Sequence, residues 1–277
     1  TVVSAAAAAL LIRRPTIVVS LVAVELGCYA VGINPVAASG DRLPRPEIVQ
    51  RLVELQASEG GRIMGIDGVL PANLASRYGL ADLRAYDPLR PRPFVAMFGA
   101  LGQADPVLGG PVRAAPPDLC GAWSVRFLIA GPNSTVGGWT EVWRGPEGTL
   151  WRNPEWLPEV RVVGRVVPGG WGQLVSGSVD FAQAAVVPEG TPSVGADRIA
   201  LQLATVTGSK IEVVSDCDGP CLVLAARPWA PGWSATVDGE PASIVLANLA
   251  GLGVVAPAGR HRIELHYNPW RRGDGVP

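Results

Sequence analysis

Residues Thr16 to Ile33 (TIVVSLVAVELGCYAVGI) make an apolar run of 18 residues with a single charge, Glu25. A helix of about 20 such residues matches the hydrocarbon layer of a bilayer, where the backbone must satisfy its own hydrogen bonds. Pro15 before the run and Asn34-Pro35 after it punctuate both ends. One membrane crossing is therefore expected over 16–33. A signal peptide starting at Arg13 and Arg14 is the competing reading. Against it stand the apolar stretch 1–12 ahead of the arginines and the lack of a convincing small-residue cleavage site after Ile33. Residues 1–12 read as the end of a truncated transmembrane helix, and the closing Gly-Asp-Gly-Val-Pro reads as a second cut. With Arg13 and Arg14 on the cytoplasmic side, residues after about 35 are extracytoplasmic. Glu25 is costly against lipid, so it is expected to face other helices, as a hydrogen-bonded interior group or as a functional carboxylate.

The remainder has an ordinary soluble surface. The 277 residues carry a formal net charge of -1, and Lys210 is the only lysine, so no basic face points to nucleic acid. A hydrophobic share of 48% is ample for a core, and 34 Gly and 26 Pro without a repeat period predict short elements with many connections. Ile48, Val49, Leu52, Val53 and Leu55 fall at helical spacing between Pro44 and Ala57. Arg62 to Ile66 and Val125 to Ala130 read as strands, and Ala72 to Tyr78 as a short helix after Pro71. Residues 36–131 are thus expected to form a mixed α/β segment.

From 132 to 277 short β-branched runs alternate with Gly and Pro, the spacing of a sandwich or barrel. They cover 161–167, 184–187, 198–205, 210–215, 222–226, 234–237, 242–246, 253–255 and 260–267. In the last run Ile263 and Leu265 are expected to be buried, and Arg262, Glu264 and His266 to face solvent. Asp238-Gly239 signals a hairpin turn. The fold class is α+β: a transmembrane helix, a mixed α/β segment and an antiparallel β-sandwich-like domain.

Several strings resemble the YfhO-type family of bacterial multi-pass membrane proteins. They are RIMGIDGVLPANLASRYGLADLRAYDPL at 62–89, WSVRFLIAG at 123–131, LWRNPEWLPEVRVVGRV at 150–166, LVLAARPWAPGWSATVDGEPASIVLAN at 222–248 and VVAPAGRHRIELHYNP at 254–269. The resemblance covers nearly the whole chain. It implies the extracytoplasmic part of a GT-C-like glycosyltransferase of the cell envelope, with the remaining transmembrane helices of the same protein as its partners. A polyprenyl-phosphate-linked sugar and an envelope polymer would be its substrates. It further implies that the catalytic acid lies in an early loop not present here, so that this part alone is inactive. A non-enzymatic envelope module that binds carbohydrate or protein is the alternative. Two features depart from the family pattern: Arg227-Pro228-Trp229 where tyrosines are expected, and the Cys217/Cys221 pair.

Candidate chemistry is sparse. Cys217-Asp-Gly-Pro-Cys221 sets two thiols around a turn, which a disulfide can span outside the cytoplasm; free thiols and a metal site are the alternatives. Cys28 and Cys120 are expected to be buried and unpaired. Asp216-x-Asp218-Gly219 opens like a calcium loop, but Arg227 stands where the closing Glu belongs. His261 and His266 are the only histidines, without a G-x-S-x-G serine, and no phosphate-loop motif occurs; neither a metal nor a soluble cofactor is expected. Asn73, Tyr78, Asp82, Tyr86 and Asp87 form the densest polar and aromatic cluster, suited to sugar hydroxyls or a carrier phosphate, although caps and turns use the same residues. Trp139, Trp143, Trp151 and Trp156 read as packing, a carbohydrate groove or an interface belt. Trp233 is the tryptophan expected to be buried.

Overall fold

The computed structural model describes residues 15–33, 44–84, 90–103 and 111–270. The chain divides into two compact units, residues 1–45 and 46–277.

In the first unit α1 (Pro15–Ile33) is one helix of 19 residues, opened by a proline whose missing N–H costs nothing there. Its apolar side chains are exposed on all sides, from Val19 at 67% to Leu26 at 62% and Tyr29 at 69%. Glu25 and Cys28 are exposed too, so Cys28 is not buried as expected. Among the described residues no helix is long and apolar enough to cross a membrane. The backbone of α1 runs all 19 residues, but its unbroken stretch of described side chains is shorter, 19–30. Residues 1–12, Arg13, Arg14, Asn34 and Pro35 lie outside the described residues.

The second unit begins with α2 (Glu47–Glu59), which buries Ile48, Val49 and Leu52 on one face. Its start is supported from afar, since the Ile48 N–H donates to Glu147 Oε2 at 3.1 Å, placing a carboxylate on the positive helix end. Gly60 and Gly61, with φ of 71° and 82°, reverse the chain into β1 (Arg62–Gly65). A 3-10 turn (Ala75–Tyr78), α3 (Arg92–Ala100) and α4 (Pro117–Ala122) follow, then β2 (Val125–Ala130), β3 (Thr140–Gly145) and β4 (Gly148–Arg152). The sheet order is β1-β2-β4-β3, with β1 and β2 parallel and the other pairs antiparallel. Alternation splits its side chains: Ile63, Phe127, Ile129 and Leu150 meet α2, while Met64, Leu128 and Trp151 join Phe94, Met97, Phe98 and Trp123 on the other side. Burying each such large apolar side chain contributes about 1.5–3 kcal/mol.

The rest is a sandwich, as the run spacing predicts. Its strands are β5 (Val160–Val163), β8 (Ile199–Val206), β9 (Lys210–Cys217), β10 (Cys221–Ala225), β11 (Trp233–Val237), β12 (Glu240–Ala242), β13 (Val245–Ala247), β14 (Gly251–Ala256) and β15 (Gly259–Tyr267). One sheet runs β13-β14-β10-β5 and the other β12-β11-β15-β9-β8, all antiparallel. Val223, Leu252 and Val254 of the first face Ile211, Val213, Ile263 and Leu265 of the second. The outer face of β9 and β15 carries Lys210, Glu212, Arg262 and Glu264 in a lattice of ion pairs. β6 (Arg165–Pro168) and β7 (Ala184–Val187) pair in parallel with α5 (Trp171–Val175) between them, and Ala185 and Val187 pack with Leu222 and Leu224.

Several expectations are corrected. The run 161–167 is two strands in different sheets that meet at Gly164, where the Ala196 carbonyl oxygen comes so close that a Cβ would lie 1.8 Å from it. The mixed sheet takes β3 and β4 from beyond residue 132, so the α/β part reaches 152. Residues 46–277 cluster as one compact unit. Trp233 is half-buried against Tyr267, with ring centroids 5.2 Å apart, and the fully buried indole is Trp123 at 1% exposure.

Candidate functional site

β1 and β2 run parallel, so their carboxyl ends emerge side by side at one edge of the mixed sheet. Chains leaving such ends diverge and leave a crevice, the usual place for a ligand on parallel strands. Here a cleft of about 520 Å³ opens. It is formed by Ile66 and Asp67 just after β1, by 113–117 ahead of α4, and by 134–137 after β2. Its volume falls in the range of roughly 300–1,000 Å³ that small-molecule sites occupy.

Each wall is fixed independently. The Ile66 N–H donates to Ile129 O at 3.1 Å and the Asp67 N–H to Val112 O at 3.0 Å, with Asp67 at φ 53° and Gly68 at φ 80° making the turn. Trp139 Nε1 donates to Ala115 O at 2.8 Å, tying the loop after β2 to the segment before α4. Arg144 donates to the carbonyls of Pro132 and Ser134 and to Glu141. That contact holds the Glu141 carboxyl below the usual range. The charged groups of the cleft are Asp67 and Arg113, both exposed, and neither side chain makes a hydrogen bond or ion pair with another described residue.

The cluster proposed from sequence is distributed differently. Asp82 points inward, where Arg84 clamps it through Nε at 3.1 Å and Nη2 at 2.8 Å, with the Arg84 N–H adding a third bond at 2.8 Å. Burial raises the Asp82 carboxyl above its ordinary value, and the Arg84 contacts offset part of that. Arg84 Nη2 also donates to Leu70 O at 2.6 Å, and a Cβ on Gly65 would strike Val69 O and the guanidinium. Asp82 thus closes the 66–84 loop against β1 and offers no open carboxylate. Tyr78 packs partly buried against the core under α2, and Asn73 sits exposed in a turn at φ 70°. Tyr86 and Asp87 lie outside the described residues. Asn73, Tyr78 and Asp82 do not share the cleft.

The other candidates are also engaged. Cys217 ends β9 in one sheet and Cys221 begins β10 in the other, and the structure joins them in a disulfide with Cα atoms 6.5 Å apart. Asp218, in the calcium-like string, accepts the N–H groups of Asp197 and Arg198 at 3.0 Å each. No group of three or more His, Cys, Asp or Glu side chains able to hold a metal occurs among the described residues. His261 Nδ1 lies 2.6 Å from Asp238 Oδ2 and its Nε2 3.1 Å from Ala258 O. Both ring nitrogens face acceptors, so the imidazolium is favoured and its pKa is raised, with Asp238 the largest cause. Trp139 and Trp151 are buried packing residues, and Trp156 lies under Arg126 at 4.3 Å. Arg161 is buried, among the described residues only the Ala122 and Pro158 carbonyls accept from it, and desolvation pulls its pKa down to about 10.

Sequence reasoning missed Asp67 and Arg113. The one local signal was Asp67-Gly68 directly after the β1 run, the turn by which the chain leaves the strand. No family model and no curated protein matches the chain.

Proposed function

We propose that the chain is the membrane-anchored, extracytoplasmic part of a bacterial envelope protein, with α1 in the bilayer and residues 46–277 outside. The observation that carries this reading is α1 itself: 19 residues with Glu25 as the one charge, whose described apolar side chains are exposed, a surface that lipid or other helices would cover. The Cys217–Cys221 disulfide fits an oxidising compartment. With the sequence resemblance, this supports a region of a lipid-linked-sugar-dependent glycosyltransferase whose partners are further transmembrane helices, a polyprenyl-linked sugar and an envelope polymer. In that role residues 46–277 recognise rather than transform. The free Asp67 and Arg113 favour a second reading, a binding module that needs no transferase.

The test compares envelope sugars in cells carrying the full-length gene, its deletion, and a version lacking residues 36–277. Loss of one sugar modification in both defective strains supports the transferase reading. An unchanged sugar profile in the deletion strain leaves the binding module.

A further inference from the structure

We infer that the edge strand β8 joins two copies of this chain antiparallel, so that their two five-stranded sheets become one continuous sheet across a twofold axis. This goes beyond the membrane reading and does not depend on it.

A strand at the end of a sheet presents a row of unpaired N–H and C=O groups, and proteins blunt such rows with short strands, charges, prolines or cover. The other edges in 46–277 use these devices. β12 and β13 have three residues each, and β5, β6 and β7 have four. β1 is covered where Ile63 bonds to Ala81 and Leu83, and β3 carries Glu141 and Arg144. β8 differs from all of them: its eight residues, IALQLATV, include neither a charge nor a proline. Its ladder is with β9, and no backbone group of 199–206 bonds to any other described residue.

The register says what kind of strand fits. Ile199, Leu201, Ala204 and Val206 lie opposite the buried Cys217, Ser215, Val213 and Ile211, so these four are on the core-facing side. The irregularity between Leu201 and Leu203 resets the alternation between the two halves. Ile199 and Val206 pack on the core at the two ends, but Leu201, 42% exposed, and Ala204 are uncovered in the middle. An antiparallel copy centred between Gln202 and Leu203 sets Ile199 opposite the partner's Val206 and Leu201 opposite the partner's Ala204. Large then meets small on the core-facing side, and Ala200 meets Thr205 on the other. Because the reset halves mirror each other, every one of these pairs keeps its face.

Charge agrees. In this register the flanking Asp197 and Arg198 come against Gly208 and Thr207, so self-pairing sets no like charges together. The chain's own remaining stretches suit the edge less well: 85–89, 104–110 and 271–277 each carry an aspartate and a proline, residues that strand ladders avoid.

The experiment is sedimentation equilibrium of the full 277-residue chain in detergent, for wild type and for Leu201→Lys and Ala204→Glu, each alone and then mixed. Wild type is expected to dimerise with rising concentration. Each variant alone should dimerise at least about tenfold more weakly, because its new charge is set against an apolar partner. The mixture should regain the dimer, since the introduced cation and anion then face each other. Association through α1 would ignore all of these changes. Both positions are exposed, so the variants should keep the wild-type circular dichroism. Ala200→Lys and Thr205→Glu repeat the exchange on the opposite face, and take its place if a core-side variant does not fold. Three results overturn the inference: wild type monomeric up to about 0.1 mM, undiminished dimers of the folded single variants, or folded variants that associate no better mixed than apart.

Discussion

Arg62 on β1 reaches across the seam between the mixed sheet and the sandwich and donates through Nη2 to Glu159 Oε1 at 2.7 Å. The same guanidinium donates to the carbonyls of Trp123 and Ala226, and Arg227 shares the Glu159 oxygen at 2.6 Å. One carboxylate thereby holds two guanidiniums where the α/β part meets β5 and β10. Burial lowers the Arg62 pKa, with Glu159 opposing that shift. Removing Glu159 leaves two mostly buried cations facing each other. Glu159→Gln is therefore expected to cost about 3–5 kcal/mol, the usual penalty for stranding a buried charge. Urea denaturation measures it, and a loss under about 1 kcal/mol would show that the seam does not depend on this pair.

Asp82 and Arg84 make a second test, which separates support from binding. Asp82→Ala strands Arg84, whose side chain is only 7% exposed, and should also cost about 3–5 kcal/mol. Replacing both, Asp82→Leu with Arg84→Met, should cost less than the single change, because no uncompensated charge remains. A double change that costs as much as Asp82→Ala or more would contradict the pairing.

The disulfide closes a short loop, so its effect should be modest. Reduction, or Cys217→Ser with Cys221→Ser, is expected to lower stability by on the order of 2 kcal/mol, as loop-closure entropy gives for so few residues. Melting with and without reductant reads this directly, and an unchanged midpoint would refute a closed bridge in the folded chain.

His261 and Asp238 predict a pH window. The His261 pKa is raised above 6.5, so its contribution is full below that value and is lost as pH rises through the raised one. The Asp238 pKa is lowered below 3.8, so its contribution is full above that value and is lost as pH falls through the lowered one. The midpoint difference between wild type and His261→Gln should therefore be largest between about pH 4 and about 6.5 and shrink toward pH 9. A difference that grows with pH would reverse the assignment.

Much of this architecture was legible because its signals are local. The alternation of Ile263 and Leu265 against Arg262, Glu264 and His266 gives β15 its faces, and Asp238-Gly239 gives the turn between β11 and β12. The α2 face follows from Ile48, Val49 and Leu52. β3 was not legible: it is an edge strand, and an irregularity between Glu141 and Trp143 breaks its alternation. Gly164 hid inside a β-branched run, and the close approach of Ala196 that leaves no room for a Cβ there comes from a distant part of the chain. The cleft could not be read at all, since residues near 67, 113 and 134 meet only through the parallel pairing of β1 with β2. Asp82 was legible as a chemical group but not as the partner of Arg84, because its direction depends on Gly65 leaving room for the guanidinium.

The placement of the chain across a bilayer is tested most directly by protease treatment of sealed right-side-out vesicles from cells making the full-length protein. The account predicts that residues 46–277 are digested from outside and protected in inverted vesicles. Protection in right-side-out vesicles with digestion in inverted ones would contradict it, as would release of the full-length protein by alkaline carbonate.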